Sequence, residues 1–314
     1  MPKLLLTHFA LQHGFGVFIG RNGMNISRDP FPKGIYFDKC LSKHKLKFHE
    51  HQVLNLGNML VSFDEEGLLF ASPENYASHR FSQMSVDLST LIFSWGQQQE
   101  DIFRRYVDVQ GKLQMTGSPR VDLWSAPLTG LNSIDVSNLV KQFGDFILVV
   151  SNWGFTTKEK IKGLNPDQTY NDNPLSLIRS SFLSLIKNLS AMFPKNKIIV
   201  RPHPADRNDY WISKATQFAD NIEVRASGSI SPWVHAAKAV VHNNCTTGLE
   251  AWLGGKMPIV FSPDFENFPD YHRYSFRINQ LGEVCRNEDE VFEAISRRLA
   301  GTSLEACENE KRLV

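Results

Sequence analysis

Two short motifs in the second half of the chain carry residue types suited to binding an anion. Arg201-Pro202-His203-Pro204 ends the apolar run Lys197-Ile198-Ile199-Val200, and His242-Asn243-Asn244-Cys245-Thr246-Thr247-Gly248-Leu249-Glu250 follows Ala239-Val240-Val241. Each reads as a buried strand running into a polar turn, and the second turn opens a helix. The carboxyl ends of strands line the ligand crevice of an open parallel α/β sheet, so both turns can face one ligand. A helix N-terminus preceded by Thr246, Thr247 and Gly248 offers free backbone N–H groups and hydroxyls to an anion. Arg201 and His203 add positive charge from what reads as the neighbouring strand. A phosphate-bearing ligand, a nucleotide foremost, fits this pattern. Pro202 and Pro204 would hold His203 rigidly, as a ligand clamp requires. The plainer alternative is a structural turn with a hydrogen-bonded histidine. Glu250 lies at capping-box spacing from Thr247, so it either satisfies the helix start or holds a ribose hydroxyl.

The first half carries acids. Asp64-Glu65-Glu66-Gly67 follows the strand-like run Met59–Phe63. Three adjacent carboxylates repel one another and raise the pKa of at least one. That suits a general base taking a proton from a sugar hydroxyl; a solvent-facing acidic turn is the other reading. Trp95-Gly96 and Gly117-Ser118-Pro119-Arg120 also follow strands and so face the crevice. Arg120 serves either an anionic substrate or a local pair with Asp122. Asn152-Trp153-Gly154 opens the second half, with Trp153 at the ligand or in the core. Asp264-Phe265-Glu266 is either crevice or surface. The ten histidines lack metal spacing, and His49, His51 and His272 read as surface residues. Neither Gly-x-Gly-x-x-Gly nor Gly-x-Ser-x-Gly occurs, and no Ser or Thr follows Lys256 after Gly254-Gly255, so dehydrogenase, esterase and P-loop chemistry lack support.

Alternating strands and helices must position these residues. The pattern predicts a helix over Lys3–His13 closed by Gly14 and Gly16, then strands at Val17–Ile19, Ile35–Phe37, Met59–Phe63, Leu91–Phe93 and Leu113–Met115. A helix covers Ser42–Gly57 and another runs through Arg105. The stretch 125–137, rich in Pro, Gly, Ser and Asn, reads as the connection between domains. Strands follow at Phe146–Val150, Ile198–Val200, Asn221–Val224, Val240–Val241 and Pro258–Phe261. Helices are expected at Leu175–Met192, Ile230–Lys238, Leu249–Gly254 and Glu288–Leu299. This alternation, twice over, predicts two α/β domains with parallel sheets. We place them at residues 1–125 and 143–300, with a linker at 126–142 and a polar tail at 301–314.

Composition narrows the function classes. With 34 Lys+Arg against 33 Asp+Glu, the chain of 314 residues has no electrostatic reason to seek nucleic acid. No apolar run approaches the roughly 20 residues that span a bilayer, and the start lacks a secretory pattern. Cys40, Cys245, Cys285 and Cys307 are scattered, which predicts free thiols in a reducing cytosol.

The order of these motifs carries a resemblance. Acidic-acidic-Gly, Gly-Ser-Pro-Arg, His-Pro and then Thr-Thr-Gly-Leu-Glu resembles bacterial surface-carbohydrate biosynthesis proteins of the GT-B type. It is similar to glycosyltransferases that use CMP-activated sugars of the Kdo, sialic and pseudaminic kinds. The likeness spans about residues 34–263. It implies two Rossmann-like domains facing across a cleft. It implies that Glu65 or Glu66, with Asp64 beside them, is the catalytic carboxylate. His203 and Pro204, with Thr246 and Thr247, would hold the CMP phosphate and ribose. No metal and no cofactor other than the nucleotide-sugar donor is implied, since side chains and a helix start can stabilise the leaving phosphate. The acceptor would be a glycan or a lipid-linked glycan. The enzyme would be cytoplasmic, and a lipid-linked acceptor would add peripheral contact with the inner membrane, to which Lys39–Lys47 either contributes or presents only a solvated helix face. A CDP-polyol phosphotransferase, a UDP-sugar epimerase-like enzyme and a non-catalytic scaffold are the rival expectations.

Overall fold

The computed structural model describes residues 2–20, 33–65, 67, 72–125, 128–152, 173–204, 206, 208–266, 268 and 277–302. Of the residues singled out above, Glu66, Trp153, Gly154, His272 and Cys307 lie outside these. The chain forms two compact units, Met1–Leu123 and Trp124–Val314.

The first unit holds a parallel four-stranded sheet, β1 (Ile35–Asp38), β2 (Met59–Phe63), β3 (Ser89–Ser94) and β4 (Leu113–Met115), in sequential order. Its core lies on one face, where Leu60, Ile92 and Leu113 pack with Tyr76, Val86, Ile102 and Phe103 from the covering helices. Two of those helices, Pro73–Arg80 and Gln83–Leu88, were not expected, although Ser72-Pro73 and Ser82 are ordinary start signals. Both serines accept the capping hydrogen bond of their helix. The expected strand at Val17–Ile19 does not form; Phe18 and Ile19 are exposed. The sheet of this unit runs from β1 to β4 without this segment.

His49 also corrects the expectation of a surface histidine. The helical stretch Lys43–Asn55 packs over the sheet. It buries His49 fully, with Nε2 2.7 Å from Asp38 Oδ2 and Nδ1 3.3 Å from Ser85 Oγ. Burial raises the Asp38 carboxyl, but hydrogen bonds from His49 and Lys45 more than offset this and hold it below the ordinary carboxylate value. This is a buried polar network with its members paired, which ties β1 to its helix.

The second unit holds six parallel strands: β5 (Ile147–Val150), β6 (Ile198–Arg201), β7 (Ile222–Val224), β8 (Ala239–His242), β9 (Ile259–Phe261) and β10 (Glu283–Cys285). Their order is β10-β9-β8-β5-β6-β7. The first three strands run one way from β5 and the next three the other, which is the Rossmann order. β5, β6 and β8 are buried along their length. This is why they read as continuous apolar runs instead of alternating ones. The expected linker is instead largely helical. Residues Leu128–Asn132 form a 3-10 turn and Ser133–Phe143 a helix. Val136, Leu139, Val140 and Phe143 have the spacing of one helix face. Phe143 packs on Phe146 and Trp233 at 6.0 and 5.5 Å between ring centres, which joins this helix to the second unit. Among the described residues no helix is long and apolar enough to cross a membrane.

Candidate functional site at the strand ends of the second unit

The order of strands puts the switch point between β5 and β8, where one crossover goes left and the other right. Such a point opens a crevice outside the carboxyl ends. The residues just past β5 and β8 are linked there, because Asn152 Nδ2 donates to the Asn244 carbonyl. The β8 turn is pinned from two further strands or helices. Asn243 Nδ2 donates to the Phe261 carbonyl at the end of β9 at 2.9 Å. Asn244 N–H donates to Asn279 Oδ1 at 2.8 Å. Asn244 itself has φ +49°, a left-handed conformation that asparagine tolerates better than most residues.

That bend starts the helix Thr246–Leu253, whose N-cap is Cys245. The capping-box reading of Thr247 and Glu250 is therefore corrected: both lie inside the helix, and Glu250 is buried within it. The helix start still presents backbone N–H groups beside the half-buried Thr246 and the buried Thr247. Gly248 is fixed by packing. A Cβ there would stand 2.2 Å from Cε1 and Nε2 of His242. His242 is fully buried, both ring nitrogens lack a hydrogen-bond partner, and burial pushes its pKa down to about 3. The imidazole below the turn is neutral at physiological pH.

The β6 end is arranged differently from the expectation. β5 lies between β6 and β8, so the two motifs are not on neighbouring strands. Two strand spacings separate them by about 10 Å, a gap that a ligand can bridge. Arg201 is buried, and its guanidinium donates to the carbonyls of Ser227 and Gly228 at 2.6 and 2.9 Å while lying 5.3 Å from the Trp233 ring centre. Burial lowers its pKa to about 10. Its positive charge thus holds the loop after β7. His203 and Pro204 are exposed. Asp206, which the motif reading missed, organises their turn. Its Oδ2 accepts from His203 N–H at 3.2 Å, Ser151 Oγ at 2.8 Å and Trp211 Nε1 at 3.1 Å. An aspartate three residues after His203 is a turn signal legible in sequence. Asn279 left no such signal, because it is 35 residues from the backbone that it holds. Asp264 and Glu266 are exposed.

In the first unit, Asp64 is committed to the fold. It is buried, accepts from Tyr76 Oη at 2.7 Å and Arg80 Nε at 2.8 Å, and pairs with Arg80 through a second nitrogen. It is thus neither part of a solvent-facing acidic turn nor a carboxylate left to its acidic neighbours. Trp95 is buried, stacks on Phe63, and donates from its indole N–H to the Asp64 carbonyl, so it braces the acidic turn from below. Gly67 is tight, since a Cβ would stand 2.8 Å from Trp95 Cδ1 and Gln99 Nε2. Glu65 is half-buried, 3.6 Å from Lys3 Nζ. Gly96 caps the helix Gln97–Tyr106 with open space around it. Ser118 is buried and accepts from Arg120 N–H at 3.2 Å as the cap of Pro119–Asp122; Arg120 is half-buried.

The fold is that of a GT-B-like α/β protein of two Rossmann-like units, the second with its switch point between β5 and β8. No protein-family model matches the chain, and no curated protein matches it. Solved structures do. The UDP-GlcNAc 2-epimerase of Methanocaldococcus jannaschii superposes with a TM-score of 0.51 at 10% identity, over 90% of this chain and 76% of that one. Its complex with UDP-GlcNAc and UDP gives 0.51 at 12% identity, over 95% and 73%. The wall teichoic acid polymerase TagF gives 0.48 at 11% identity over 80% of this chain, which spans 64% of the polymerase's length. At these identities the likeness to the epimerase establishes the fold.

Proposed function

We propose that the chain is a glycosyltransferase of bacterial surface-carbohydrate biosynthesis that takes its sugar from a nucleotide-activated donor. The observation that carries this reading is the β8 turn at the switch point. It is pinned from three sides and opens into a helix start beside Thr246 and Thr247. A fixed array of N–H groups and hydroxyls can hold a leaving phosphate and stabilise its charge as the glycosidic bond breaks. His203 would reach the same phosphate from the β6 end. Base work toward the acceptor hydroxyl falls to Glu65 or Glu66 in an inverting reaction, because Asp64 is occupied by Arg80 and Tyr76. In a retaining reaction one of them would be the nucleophile. The motif order supports a CMP-linked donor of the Kdo or sialic kind, with a glycan or lipid-linked acceptor and work on the cytoplasmic face of the membrane.

A second reading rests on a different observation. The epimerase that shares the fold was solved with UDP-GlcNAc and UDP, which favours a UDP-sugar ligand and epimerase-like chemistry. Calorimetric titration with CMP and UMP, beside His203→Ala, decides between the two. CMP preferred, with affinity lost in the variant, supports the transferase; UMP preferred moves the chain to UDP-sugar chemistry. Binding of neither nucleotide removes both readings and leaves a non-catalytic scaffold or a protein for a different ligand. Product analysis separates sugar transfer from polyol-phosphate transfer, since CDP-polyol donors also release CMP. In a transferase, substitution of Glu65 or of Glu66 abolishes turnover at one position with nucleotide affinity intact.

A further inference from the structure

We infer that Asn279, which lies outside every motif of the chain, is a binding residue of the anion site at the β8 turn. The inference rests on the phosphate site proposed above. Asn279 sits in the short helix Arg277–Gln280, whose side chain at this position is only 4% exposed. Its carboxamide is divided between two tasks. Oδ1 accepts the Asn244 N–H at 2.8 Å and so holds the left-handed bend that aims the helix start. Nδ2, on the same planar group and therefore beside that bend, is buried with no hydrogen-bond partner. Asn244 Oδ1 at the same turn is also without one.

A buried amide donor without a partner is costly, and native folds keep few of them. Here the unused donor belongs to the carboxamide that holds Asn244, two residues before the eight-residue helix Thr246–Leu253, whose N-terminus has no side-chain cap and carries partial positive charge. A phosphate oxygen at the helix start would accept from this donor and gain from the positive end of the helix. Asn279 thus gives the anion a side-chain donor from a third element, beside the β5–β8 switch point and the helix. The chemical class it selects is a phosphate or diphosphate ester.

Two variants test this. Asn279→Asp keeps an acceptor for the Asn244 N–H, removes the donor and adds a repelling charge. Asn279→Leu keeps the size and removes both functions. Each is titrated by calorimetry with CMP, UMP, cytidine, uridine and inorganic pyrophosphate, with circular dichroism to confirm folding. The phosphate contribution is the ratio of nucleotide to nucleoside affinity. In Asn279→Asp it should fall about ten- to a hundredfold, the range for a hydrogen bond to a charged group, while nucleoside affinity holds. Pyrophosphate binding that is lost in the variant, without nucleotide binding in the wild type, would sustain the anion site and remove the nucleotide reading. A folded variant of either kind that keeps the full phosphate contribution overturns the inference. So does a wild type that binds neither nucleotide nor pyrophosphate.

Discussion

Alanine at position 248 is the sharpest test of how the β8 turn is built. Its Cβ would stand 2.2 Å from two ring atoms of His242, whereas carbon atoms in contact prefer about 3.5–4.0 Å. Roughly 1.3 Å or more must be found. His242 cannot yield it, because the ring is fully buried and its strand is hydrogen-bonded on both sides by β5 and β9. The helix start cannot yield it cheaply, because Asn243 and Asn244 are anchored to Phe261, Asn152 and Asn279. Overpacking of a core costs about 1–3 kcal/mol, and two rigid partners put this case near about 3 kcal/mol. For a unit of roughly 190 residues, that lowers Tm by about 6–12 °C. The assay is thermal unfolding by circular dichroism of Gly248→Ala, His242→Ala and the double variant. Removing the imidazole should readmit the methyl, so the double variant should recover about 1–3 kcal/mol relative to the sum of the singles. Gly248→Ala melting within about 1 °C of the wild type, or strictly additive losses, would refute the argument.

Three further outcomes follow from the same geometry. His242 has a folded pKa of about 3 against 6.5 when unfolded, so between those values the unfolded chain binds the extra proton. Stability is therefore full above about pH 6.5 and falls by ~1.4 kcal/mol per pH unit below it, toward pH 3. Urea unfolding at several pH values should show this slope shallower by one proton in His242→Ala; an unchanged slope would refute it. At the left-handed Asn244, Asn244→Ala should cost about 1–2 kcal/mol and Asn244→Gly at most a few tenths by urea midpoint; equal costs would mean that φ is not the constraint. Arg201→Lys loses the fork on Ser227 and Gly228 and should cost about 2 kcal/mol. It should leave the ratio of nucleotide to nucleoside affinity unchanged, and a fall in that ratio would return Arg201 to the phosphate.

Sequence alone determined the alternation of elements and the places where polar turns interrupt buried strands. Ile198–Val200 and Val240–Val241 are buried on both faces in an all-parallel sheet, so their apolar runs announce themselves whatever surrounds them. The helix after β8 was legible too, but it starts at Thr246 and not at Leu249, because the bend before it is held by the distant Asn279. Tertiary structure decided what is long-range. The order of strands separated the Arg201 and Thr246 motifs by one strand, because the crossovers leave β5 on opposite sides. It turned Arg201 toward Ser227 and Gly228, and Asp64 toward Tyr76 and Arg80, since a buried charge takes whatever partner the packing brings. It buried His49 against Asp38, which no helix-face pattern could foresee among so many lysines. It also brought Asn279 to Asn244, a pairing between residues that share no period, motif or neighbourhood in the chain.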